Sequence, residues 1–152
     1  MRVRDRTLPL LGFAAVLLLG PFSALQAQIS GDIEADIPFS FVVADTTLGP
    51  GAYVIHPLAG DDPAMEVRRA DSGKLVTVLI TRSVGSSVPP KTELLFNRYD
   101  NQEFLSKVLV EGNSERAEIE PSRAEKALKR EGRRPRVRTL PATFRKGSLD
   151  PS

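Results

Sequence analysis

Ile33-Glu34-Ala35-Asp36-Ile37-Pro38-Phe39-Ser40-Phe41-Val42-Val43 carries the clearest periodicity in the chain. Ile33, Ala35, Ile37, Phe39, Phe41 and Val43 alternate with Glu34, Asp36, Pro38, Ser40 and Val42, and Asp32 precedes them. Successive strand residues point to opposite faces, so the pattern gives one apolar face and one that begins acidic, as in a strand packed on a core by one side only. Pro38 has no amide hydrogen for a ladder, which predicts an edge strand or a bulge there.

Outward from this strand, turn signals and further strands alternate. Leu48-Gly49-Pro50-Gly51 turns the chain, and Ala52 to His56 forms a strand that Pro57 stops. Met65 to Arg69 and Lys74 to Thr81 flank Ala70-Asp71-Ser72-Gly73, a hairpin connection. Leu75 to Ile80 is apolar on both faces and reads as a central strand, followed by a Ser83 to Pro90 loop. Glu93 to Tyr99 and Glu103 to Val110 make a second hairpin around Asp100-Asn101-Gln102. About six strands with no helix between them predict an all-β domain, either a small antiparallel β-sandwich or a partly open barrel.

Both ends of the chain differ from this body. Arg2, Arg4 and Arg6, the apolar run Leu8 to Gly20 and the small and polar residues up to Ala27 have the three parts of a secretory signal, with cleavage expected between Ala27 and Gln28. The apolar run is shorter than the ~20 residues that span a bilayer, so no transmembrane segment is expected once the signal is removed. The expected location is periplasmic or secreted, through the general secretory route. At the other end, Ser122 followed by Glu125 has capping-box spacing, and Arg123 to Arg130 predicts a short helix ended by Gly132 and docked through Leu128. The expected division is 1–27 signal peptide, 28–120 β-domain, 121–132 helix and 133–152 a flexible, disordered basic tail.

Charge separates along the same boundaries. The chain has 21 Lys and Arg against 19 Asp and Glu. Residues 28–120 hold 8 basic and 15 acidic residues, whereas residues 121–152 hold 10 basic and 3 acidic. The body is acidic and the tail basic, which argues against a uniformly basic, nucleic-acid-binding surface. With no Cys, no disulfide, thiolate-bound zinc or cysteine nucleophile can be built.

Ile37-Pro38-Phe39, Leu48-Gly49-Pro50-Gly51-Ala52-Tyr53, Asn97-Arg98-Tyr99 with Phe104-Leu105-Ser106, and Ser122-Arg123-Ala124-Glu125 occur in this order. Together they resemble a family of small, signal-bearing bacterial proteins with no assigned activity. The family pattern has Pro-Ala where this chain has Gly49-Pro50. The resemblance implies export and a β-rich fold for about Ile33 to Arg130, and it supplies no catalytic residue.

Few residues invite chemistry. His56 is the single imidazole, sits at a strand end and has no Gly-x-Ser-x-Gly elbow elsewhere in the chain to serve. Asp32, Glu34 and Asp36 share a face, but a straight strand spreads them over about 13 Å, too far for a calcium cage unless Asp61 and Asp62 fold against them. Arg98 and Tyr99 invite a binding reading, a guanidinium beside a ring. Arg133, Arg134, Arg136 and Arg138 form a basic run suited to anionic partners. The expectation is an exported, non-catalytic binding or envelope-associated interaction module without a cofactor, its tail meeting an anionic envelope component, a protein partner or its own acidic body. A small-ligand carrier or small hydrolase is the alternative. Open strand edges such as the Ile33 segment offer a route to a homodimer.

Overall fold

In the computed structural model, which describes residues 29–58, 64–85 and 87–147 without the side chains of residues 80 and 82–85, the opening stretch forms two strands. β1 (Gly31–Ile37) ends before Pro38, and β2 (Phe41–Val43) continues in a different sheet. Proline cannot donate to the ladder, and the chain turns a corner there. Alternation survives the corner because Ile33, Ala35, Ile37, Phe41 and Val43 are all buried, with Phe39 packed against the same core.

Two sheets pack face to face as a β-sandwich with one short helix, and they do not close into a barrel. The first sheet runs through β11 (Thr143–Lys146), β1, β4 (Gly51–Pro57), β5 (Ala64–Arg69) and the first half of β6 (Leu75–Gly85). The second continues through the other half of β6, β9 (Glu115–Ile119), β8 (Gln102–Leu109), β7 (Glu93–Tyr99) and β10 (Arg136–Pro141). β2 pairs with β3 (Thr46–Leu48) and touches β8 in parallel at Val42 and Phe104. β6 pairs with β5 through residues up to Ile80 and with β9 from Thr81 onward, so one strand passes from sheet to sheet.

Aromatic side chains join the layers. Phe41 meets Tyr53 of the first sheet edge-on at 5.3 Å and Phe96 of the second at 5.7 Å, and Phe39 meets Phe96 at 5.0 Å. Edge-to-face contacts place a positive ring edge on a negative face, adding to the area each ring buries.

The structure corrects several expectations. The described residues hold eleven strands rather than about six. β1 lies between β4 and β11 and is not an edge, so the homodimer route through it is covered by the chain's own C-terminal strand. β6 extends into the expected Ser83 to Pro90 loop as far as Gly85, and Leu75 and Val78 stand 43% and 45% exposed, so the strand is central by pairing while one face meets solvent. Residues 136–141 and 143–146 are not disordered: β10 pairs with β7 and β11 with β1. Leu140, Ala142 and Phe144 pack against the core, and cations along the same segment meet carboxylates of the body. An arginine-rich segment thus has both an apolar stripe and opposite charges to meet. Gly31 permits the close approach of β11, since a Cβ there would stand 2.4 Å from the Arg145 carbonyl oxygen.

Candidate functional site

α1 (Arg123–Arg130) lies on the second sheet and is fixed at both ends by its sequence. Ser122 Oγ accepts from the Glu125 amide at 3.2 Å. Asp45, at the tip of the β2–β3 hairpin, accepts from the Arg123 amide at 2.6 Å and from its Nε at 3.1 Å. Ala44 and Asp45 have φ of 46° and 62°, the left-handed pair that a tight two-residue hairpin requires. The Arg123 amide, followed by its side chain, holds the Asp45 carboxyl below the ordinary carboxylate value. At the other end Gly132, with φ 78°, donates to the Lys129 carbonyl at 3.0 Å, and Arg133 donates to Leu128 at 3.1 Å, the paired bonds of a Schellman ending.

The helix docks by a different residue than expected. Leu128 is half-buried and Ala124 exposed, whereas Glu125 is 2% exposed. A capping box would send the Glu125 carboxylate back to the cap; here it turns onto the sheet. Asn97 Nδ2 donates to Glu125 Oε1 at 2.7 Å, Tyr99 OH donates to it at 3.4 Å, and Lys129 Nζ stands 3.2 Å from the same oxygen. Burial raises the Tyr99 pKa above its ordinary value, and the charge of Glu125 raises it further.

Around this carboxylate lies a cavity of about 450 Å³ between α1 and the second sheet. Asn97, Ser106, Glu118 and Thr81 line it from four successive strands, and Glu120, Glu125 and Lys129 from the β9–α1 side. Ser106 owes its place to a bulge: Leu105 pairs with Phe96 and Lys107 with Leu95, leaving Ser106 as the extra residue. An inserted residue bends its strand and re-aims a side chain.

The residues singled out by sequence are distributed otherwise. Arg98 and Tyr99 point to opposite faces of β7, Arg98 exposed and Tyr99 buried against Phe104, so the expected guanidinium-and-ring pair does not form. Arg98 Nε donates to the Asp100 carbonyl at 3.0 Å and lies 3.5 Å from Glu103. Arg138 stands 3.3 Å from the same buried Glu103 and 4.5 Å over the Phe39 ring, and Arg133 pairs with Asp100. Of the four tail arginines, Arg134 and Arg136 are exposed and have no ion pair among the described residues.

Three of the remaining candidates, His56, Asp32 and Glu34, have structural partners. His56 Nδ1 pairs with Asp32 on an exposed face, and Nε2 has no hydrogen-bond partner among the described residues. Glu34 pairs with Arg145 at 3.0 Å. No group of three or more metal-ligating side chains occurs among the described residues. Ala27, Gln28, Asp61 and Asp62 lie outside the described residues. Among the described residues no helix is long and apolar enough to cross a membrane.

Sequence reasoning reached the cavity only indirectly. Asn97, Ser106 and Glu125 belong to three of the segments that carried the family resemblance, yet none was singled out as a site residue. Their signal was a shared face: a short polar residue beside Tyr99, a serine interrupting an apolar strand, and a helix glutamate with two roles open to it.

Comparison of the chain with protein-family models, with curated proteins and with solved structures returns no match.

Proposed function

We propose that this protein is an exported, non-catalytic binding module that takes a small polar ligand in the cavity beneath α1. The observation that carries the proposal is a cavity of about 450 Å³ with a buried, hydrogen-bonded carboxylate at its wall. That volume lies within the range of small-molecule sites, where a few fixed polar groups set orientation. Export rests on the layout of residues 1–27, and the non-catalytic character rests on the single, strand-end imidazole and the missing cysteine. Native mass spectrometry of the chain from Gln28 onward, recovered from an envelope fraction, tests the reading. A retained small species that disappears in Ser106→Phe, which fills the cavity, is the expected result. A wild-type chain that carries no such species, and takes up none from a cell extract, overturns it.

Arg134 and Arg136 favour a second reading. Both are exposed without ion pairs among the described residues, as is Arg130 nearby in sequence, so this end of the molecule suits an anionic envelope surface. Sedimentation with vesicles containing phosphatidylglycerol should fall in Arg134→Glu/Arg136→Glu and with added salt; binding indifferent to both changes removes the arginines from any such role.

A further inference from the structure

The cavity beneath α1 already has a cation of the chain's own at its wall. Lys129 Nζ lies 3.2 Å from Glu125 Oε1, the oxygen that also receives Asn97 and Tyr99. The hydrogen bonds and the ion pair of Glu125 among the described residues go to Oε1, and Oε2 is not one of the fully enclosed atoms left without a partner, so it opens on the cavity. A carboxylate in that position holds acceptor capacity that water or a ligand in the cavity can use. Three carboxylates line the wall, Glu118, Glu120 and Glu125, each paired with a lysine, and of those lysines only Lys129 lines it too. Lys107 meets Glu118 at 3.0 Å and Lys126 meets Glu120 at 2.7 Å, and neither lysine belongs to the lining.

Lys129 is the most replaceable of these partners. Its side chain is 44% exposed, and an i,i+4 pair with so much solvent at one end is weak and screened by salt. A free ammonium of similar size finds at Glu125 the same Oε1 with its two neutral donors, plus the open Oε2. Ser106 and Thr81 supply further oxygens around it.

We infer that the cavity selects small ligands bearing an ammonium group, which takes the place of Lys129 on Glu125. The inference rests on the binding-module reading and gives its ligand a chemical class.

Calorimetry and NMR titration of the chain from Gln28 onward test it, with 1,4-diaminobutane as the cationic probe, sorbitol as the neutral one and succinate as the anionic one. The diamine should bind, shift the amides of Asn97, Ser106 and Glu118, and weaken with added salt. Lys129→Met should tighten its binding at least fivefold by vacating the position. Glu125→Gln should weaken it at least tenfold, with circular dichroism reporting whether α1 stays docked. Because the Lys129 side chain is half-exposed, its variant keeps the test valid even if Glu125→Gln unfolds. Preferential binding of sorbitol or succinate overturns the ammonium class and leaves the binding module standing. Diamine binding that Lys129→Met fails to tighten overturns the exchange. No response to any probe overturns the inference, while the retained species in native mass spectrometry decides separately whether the module reading also falls.

Discussion

Glu125 shows how one side chain can be diverted from the role its spacing suggests. Ser-x-x-Glu is a helix-start signal, and the serine half operates: Ser122 accepts the Glu125 amide. The carboxylate instead goes to Asn97 and Tyr99, since polar groups of the β-strand beneath the first turn offer it donors. Asn97→Ala should therefore cost about 1.5–3 kcal/mol, the usual contribution of a hydrogen bond to a charged group, with Tyr99 and Lys129 left on the oxygen, read as a lowered urea midpoint. Asp45 gives a pH signature at the opposite end of the turn. Its folded pKa lies below the ordinary value of 3.8, so the stability it contributes is complete above that value and is lost as pH falls through the lower, folded one. Acid unfolding followed by circular dichroism should show Asp45→Asn less stable than the parent at pH 6, with the difference closing as the pH falls below 3.8 and through the lower folded value. A constant difference at all pH values would sever Asp45 from the effect.

At the level of elements, alternation was legible and boundaries were not. Buried Ile33, Ala35, Ile37, Phe41 and Val43 were readable from period two alone, but the break at Pro38 divides them between sheets because a corner and an edge look alike in one dimension. β9 was missed because only Ala117 and Ile119 of Glu115–Ile119 face inward, a signal too short to register among three charged residues. β10 and β11 were hidden by arginine: Arg136, Arg138 and Arg145 suggested a solvated tail, and only the opposing Glu103 and Glu34, distant in sequence, turn that charge into docking. The helix and its glycine ending were legible because their signals are local. The cavity was not, since it needs β6 to β9 side by side. Removing residues 133–152 should bare the edges of both β1 and β7 and drive self-association, seen as a rise in mass by light scattering; a monodisperse monomer would show that the segment is not an edge cover.

For the molecule as a whole, the division of charge is an attachment between its parts. The acidic body and the basic C-terminal segment meet through Arg133 with Asp100, Arg138 with Glu103 and Arg145 with Glu34. Surface pairs contribute modestly, up to ~1 kcal/mol each, and are screened by salt. Amide exchange in β10 and β11 should therefore quicken between low salt and about 0.5 M salt more than exchange in β4 or β5; equal acceleration everywhere would refute the electrostatic attachment. The pairing of Gly31 with Lys146 has a kinetic consequence as well. The first described strand waits for the last described one, so a chain emerging from its ribosome has no partner for that side of β1 until β11 has been made. Loop closure over such a separation slows folding. A polypeptide built this way keeps one side of its opening strand unlocked while every strand between β1 and β11 is being made.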